Sequence, residues 1–227
     1  MQQLHVYKVK KMVRKEKIDW TVGLLTKTFK LSKVLENDPL LNDWLTVENN
    51  LSAREKAELE RIRLPLLKNF NNWNEETLKM KFIALLLDLV NYDSISGFQT
   101  LFDAEVKGLV DNIELKCVAD FTVAKTIEDL IESPYFYFHE YKRKKNKADD
   151  PIAQVLIPSL IAQEINDDQK PIYGCYVIGE MWYFMLLNGR EYAIDKGLNA
   201  LKPDELERIY LILQKVKSLI VKRIQGE

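Results

Sequence analysis

The run Pro134-Tyr-Phe-Tyr-Phe-His-Glu-Tyr-Lys142 constrains the fold more than any other stretch of the chain. Five aromatic residues in eight positions read as a buried strand. Strand side chains alternate, so Phe136, Phe138, Glu140 and Lys142 share one face. A glutamate and a lysine on the apolar face of an aromatic strand are costly to desolvate unless something pairs with them. A buried salt bridge would serve, and so would a divalent metal with a phosphate.

Around this strand the chain divides into two patterns. Residues up to about 95 read as helical. Trp20, Leu24, Leu25, Phe29 and Leu31 recur at near-helical spacing, and Ser52 with Glu55 forms a capping box. The helix that follows runs through Leu59, Ile62, Leu66 and Leu67, with Pro65 expected to kink or end it. Asn74 is a good N-cap for a further helix through Leu78, Phe82, Leu85, Leu86 and Leu89. From about residue 101 short strand-like runs take over. Glu105 to Val110 and Ile113 to Ala124 flank Asp111-Asn112, a hairpin turn. After the aromatic strand, Asp150 and Pro151 open a helix to Asn166 as N-cap and N1 residue, with a kink expected at Pro158. Ile172 to Ile178 and Met181 to Leu187 form a hairpin over Gly179-Glu180. Asn188-Gly189 then turns the chain into Glu191 to Ile194, and a charged helix from Pro203 to about Ile224 closes it. The expected class is α+β with an α/β-type core: a mixed sheet flanked by helices, residues 71–227, behind a helical N-terminal region of residues 1–70.

Composition excludes several classes. With 227 residues, 47% of them hydrophobic, the chain can bury a substantial core. No apolar run is long enough for a transmembrane helix, and the first residues lack the apolar segment of a secretory signal. Cys117 and Cys175 lie in apolar runs and fit reduced thiols of a cytoplasmic protein, with a disulfide as the alternative. A net charge of −1 gives no overall attraction to nucleic acid, so any polyanion site must be a local patch. Two histidines and two cysteines do not make a zinc site, and there is neither a Gly-rich phosphate loop nor a Gly-x-Ser-x-Gly elbow.

Asp120 is a second anomaly. It lies in Leu115-Lys-Cys-Val-Ala-Asp-Phe-Thr-Val-Ala124, where apolar residues occupy both alternating faces, as in a central strand buried on two sides. An unpaired carboxylate there would rather protonate. Pairing with a lysine or arginine, or a place at a bulge, would explain it without function.

Together Asp120, Glu140 and Lys142 spell Asp–x19–Glu–x–Lys. The pattern resembles the PD-(D/E)XK nuclease superfamily, in which an Asp on one strand and a Glu-x-Lys on its neighbour build the site. The resemblance extends to Asn74-Glu75, Ala119-Asp120-Phe121, Phe138-His-Glu140-Tyr-Lys142-Arg143, Ala153-Gln154-Val155-Leu156, and Ile172-Tyr-Gly-Cys-Tyr176 followed by Trp182-Tyr-Phe184. It is nearest to the nuclease-like domain at the N-terminus of type I restriction motor subunits and to stand-alone bacterial relatives. It covers roughly residues 74 to 195, and Asp120 follows Ala119 where the family usually has proline.

What the resemblance implies is Mg²⁺-dependent cleavage of nucleic acid, DNA ahead of RNA, in bacterial restriction, defence or repair, with Mn²⁺ as a substitute. Asp120 and Glu140 would hold the metal, a hard cation that prefers carboxylate and water oxygens. Lys142 would position or deprotonate the attacking water, and Gln154 on the following helix would orient the water or the lysine. Glu75 would complete the metal shell, and it is preferred over Glu76 because it shares a stripe with Leu78 and Phe82. Ordinary first-turn acids facing the helix dipole are the alternative for both. Lys142, Arg143, Lys144, Lys145 and Lys147 would touch a nucleic-acid backbone, unless the run is simply a solvated loop. A second class of function remains open: a non-catalytic nucleic-acid-binding or assembly module, docking partners through Trp20, Leu40, Leu41, Trp44 and Leu45. A salt bridge between Asp120 and Lys142 is a third. A homodimer or partner subunit is compatible with the nuclease reading, although nothing specifies a dimer face.

Overall fold

The computed structural model describes residues 19–127, 130–142 and 150–226, with the backbone alone for residues 127, 130 and 132–142. Seven helices and eight strands follow one another among the described residues. They are α1 (Val22–Phe29), β1 (Ser32–Val34), α2 (Pro39–Leu45), α3 (Ala53–Asn69), α4 (Glu75–Leu78) and α5 (Ala84–Val90), then β2 (Gln99–Val110), β3 (Ile113–Ile127) and β4 (Leu130–Lys142). After these come α6 (Pro151–Asn166), β5 (Ile172–Ile178), β6 (Met181–Asn188), β7 (Glu191–Ile194), β8 (Leu198–Asn199) and α7 (Pro203–Gln225).

The strands form one mixed sheet in the order β1-β7-β6-β5-β4-β3-β2, with β8 paired to β6. Two pairs are parallel, β4 with β5 and β1 with β7. The first follows from α6, which carries the chain from the end of β4 back to the start of β5 as a parallel crossover must. The β2–β3, β5–β6 and β6–β7 pairs are antiparallel because tight turns join them. Asp111 and Asn112 both adopt positive φ, the geometry of a two-residue hairpin loop that matches strand twist. The β6–β7 loop is Gly189-Arg190, with Asn188 still paired to Glu191, one residue later than the Asn-Gly signal suggests.

The sheet separates two cores. On one face α6 packs with Val106, Val110, Leu115, Ala119, Met185 and Leu187. On the other, α2, α3, α5 and α7 cover Phe121, Val123, Cys175, Val177, Trp182 and Phe184. Gly108 lets α6 lie close on the hairpin, since a Cβ there would meet Ile161 Cγ2 at 2.8 Å. Residues 22–69, expected as a helical N-terminal region, contribute to both cores and supply the short strand β1.

Capping follows the sequence closely. Ser52 and Glu55 exchange hydrogen bonds at the start of α3, Asn74 accepts from the Thr77 N–H, and Asp150 accepts from the Ala153 N–H. Three expectations need correction. Pro65 does not end α3, which continues to Asn69; Arg61 and Pro65 are both exposed, so the carbonyl that the proline leaves unbonded can be hydrated. Between α4 and α5 lies a π-helical turn, Lys79–Ile83, whose extra residue rotates the buried stripe. Ile83, Leu87 and Val90 therefore join Leu86 inside, while Leu85 is left exposed. Finally, Trp44 and Leu41 are not a docking surface. Trp44 is fully buried against Tyr173 and Phe184 and donates its Nε1–H to the Ile212 carbonyl.

The cysteines are unpaired with each other: Cys117 packs on the α6 face and Cys175 on the opposite one. No helix among the described residues is long and apolar enough to cross a membrane.

Candidate functional site

Strand β3 changes character midway. From Glu114 to Val118 its outward residues are exposed, whereas Phe121 to Ala124 are buried on both faces. The expected two-sided burial therefore applies only to the second half. The strand also turns over at this point: Ala119 packs under α6, and Phe121 packs in the opposite core against Tyr92. Asp120 sits at the changeover, with its side chain 19% exposed.

Its neighbours are set by register. Phe102 pairs with Phe121 and Ala104 with Ala119, so Asp103 on β2 lies across from Asp120. Asp103 adopts φ +50°, a conformation that aspartate tolerates better than most residues. On the other side Phe121 pairs with His139, so Asp120 and residue 140 each lie one position beyond that pair on adjacent strands. Residue 140 in turn pairs with Tyr176 on β5, and Tyr176 stacks on Tyr183 at 4.8 Å. The side chains of Glu140 and Lys142, and all of Arg143, Lys144, Lys145 and Lys147, lie outside the described residues.

Lys79 is the residue that sequence reasoning missed. It opens the π-turn, is 8% exposed, and reaches across to both carboxylates. Its Nζ lies 2.8 Å from Asp103 Oδ1 and 3.3 Å from Asp120 Oδ1. Burial opposes its charge, but the hydrogen bond it donates to Asp103 and the charge of Asp120 outweigh that, and its pKa is raised. Asp120 therefore has a cationic partner in Lys79; the side chain of Lys142, the other partner considered for it, lies outside the described residues. A polar stripe would have signalled it: Glu75 is one turn before Lys79 on the same helical line, and Glu75 is half-buried while Glu76 is more open.

Gln154 lies on the first turn of α6, which packs on β4, β3 and β5. Its Oε1 is buried and has no hydrogen-bond partner. Thr122, two residues from Asp120, is fully buried and its hydroxyl is likewise unpartnered. Buried oxygens without donors are uncommon enough to ask for a water, an ion or a ligand group. Gln163 Oε1 is buried and unpartnered as well, while its Nε2 donates to the Gly189 carbonyl at 3.2 Å, at the far end of α6.

These residues suit a hard divalent cation in chemistry. Carboxylate oxygens from Asp120 and Asp103 already gather around one positive charge. No three His, Cys, Asp or Glu side chains among the described residues are close enough to bind a metal by themselves. Glu140 is the expected further ligand. No protein-family model matches the chain, and no curated protein matches it.

Proposed function

We propose that the protein is a Mg²⁺-dependent nuclease that hydrolyses phosphodiester bonds, DNA ahead of RNA, within a bacterial restriction, defence or repair process in the cytoplasm. What supports this reading is that Asp120 and residue 140 each lie one position beyond the Phe121–His139 pair on adjacent strands, ahead of a helix whose Gln154 offers an unpartnered acceptor. Asp120 and Glu140, with Glu75 on the helix above, hold the cation through their carboxylates. The bound cation lowers the pKa of a coordinated water and neutralises charge that develops on the phosphate. Lys142 orients the attacking water or takes its proton and contacts the phosphate as a compact charge. Gln154 accepts a hydrogen bond from that water or from the lysine. The basic run from Lys142 to Lys147 tracks the backbone without reading sequence, so binding weakens as salt rises.

The test is cleavage of supercoiled plasmid and of single-stranded oligonucleotide with Mg²⁺ or Mn²⁺. The wild type is expected to cut, and chelator or Glu140→Ala to abolish cutting by a factor of about 100 or more. Equal cleavage by wild type and variant would refute the assignment.

One observation favours a second reading, a non-catalytic nucleic-acid-binding or assembly module. Lys79 satisfies Asp120 without any metal. Binding of oligonucleotide that is indifferent to chelator, with no cleavage under any metal, would make this the better account.

A further inference from the structure

A cavity of about 540 Å³ lies apart from the residues discussed so far, where four parts of the chain meet. The connection between β1 and α2, α2 itself, the turn after β7 and Arg208 of α7 line it, and none of Lys79, Asp103, Asp120 or Gln154 does. Its size falls within the range of about 300–1,000 Å³ that small-molecule sites occupy. One part of its wall is apolar, with Leu41, Leu45 and Ile194. Leu35 adds to that surface while 82% exposed. A single open leucine is ordinary on a protein surface, but one that lines an apolar cavity extends an area that a ligand can cover.

The polar part of the lining is unbalanced in a way that selects a ligand. Its buried acceptors are already engaged: Asp38 accepts from the Leu41 N–H, and Asp195 accepts from those of Phe184 and Gly197. Glu36, the remaining acid, is exposed to solvent. The donors are not engaged. Arg208 carries five N–H groups. Among the described residues it makes one hydrogen bond, a long one to the Leu45 carbonyl at 3.4 Å, and Lys196 makes none. The charge of Arg208 draws the Asp195 pKa down against burial, so the guanidinium stands within electrostatic reach of the cavity's most buried carboxyl.

We propose that this cavity binds a small carboxylic acid with a short apolar chain. The carboxylate meets Arg208, whose planar fork matches two oxygens, with Lys196 as a second charge. The hydrocarbon chain lies on Leu35, Leu41, Leu45 and Ile194. A purely inorganic anion would leave those walls uncovered, and a neutral apolar molecule would leave both cations unused. The site stands independently of the nuclease reading, so its failure leaves the metal assignment untouched.

The test is a titration of isotope-labelled protein with isocaproate, read at the backbone amides of Asn37, Asn42, Lys196 and Gly197, which line the cavity. Acetate, which lacks the chain, and isocaproamide, which lacks the charge, serve as comparisons. Saturable isocaproate binding that shifts these amides is expected, with both comparison ligands weaker by about tenfold or more. Arg208→Gln and Leu35→Ser replace exposed side chains, so both variants should fold. Arg208→Gln should weaken isocaproate binding by about tenfold. Leu35→Ser should weaken it by about threefold. No saturable binding, shifts confined to other amides, or equal affinity in wild type and Arg208→Gln would overturn the proposal. Acetate binding as tight as isocaproate would overturn it too, since an adventitious anion contact behaves that way.

Discussion

Asp120 and Asp195 are both half-buried carboxylates beside core strands, and the protein satisfies them in different ways. Asp195 follows β7 and accepts hydrogen bonds from the backbone N–H groups of Phe184, at 2.8 Å, and Gly197. Its own N–H returns to the Phe184 carbonyl. Burial pushes its pKa up to about 6, with those N–H groups and the charge of Arg208 pulling the other way. Asp120 is met by a long side chain from another layer. Backbone donors are fixed in place and belong to the turn they close, so Asp195 is part of the architecture. The ammonium that meets Asp120 sits on a four-carbon stem and bridges two strands, so this pairing belongs to the contact between layers.

The largest effect should come from breaking the second arrangement. Lys79→Met removes the ammonium that donates to both Asp103 and Asp120, and urea unfolding should show a loss of about 2 kcal/mol or more. Next comes the architecture itself. Asp195→Ala strands the Phe184 and Gly197 N–H groups, whereas Asp195→Asn keeps an acceptor, so the alanine variant should be less stable than the asparagine one by about 1–3 kcal/mol. The third effect is a pH dependence. The folded protein binds the Asp195 proton more tightly than the unfolded chain does, so its contribution to stability falls as pH rises from the ordinary 3.8 to about 6 and is fully unfavourable above that. The difference in unfolding free energy between wild type and Asp195→Asn should drift against the wild type by up to about 3 kcal/mol across that window and stay flat above it. A flat difference throughout would show that Asp195 is already ionised in the acid range.

Much of this fold is legible in the residues themselves. Caps at Ser52, Asn74 and Asp150, the Asp111-Asn112 turn and the period-two runs of β5 and β6 are local signals, and the structure follows them. Asp120 and Glu140 stand out in the sequence as a spacing, and the register adds that each lies one position beyond the Phe121–His139 pair. What was not legible depends on extra residues. The π-turn at Lys79–Ile83 has no composition of its own, and it moved the apolar stripe and aimed Lys79 at the sheet. Asp103 broke the alternation of β2, so the strand read as starting at Glu105 when it starts at Gln99. Both irregularities fall at the candidate site, where local rules most often give way.

The most direct test of the metal assignment is isothermal titration of Mn²⁺ into the purified protein and into Glu140→Ala. The account predicts binding by the wild type that disappears in the variant. Absence of binding by either, with oligonucleotide present, would contradict it and leave Asp120 as half of a structural ion pair with Lys79.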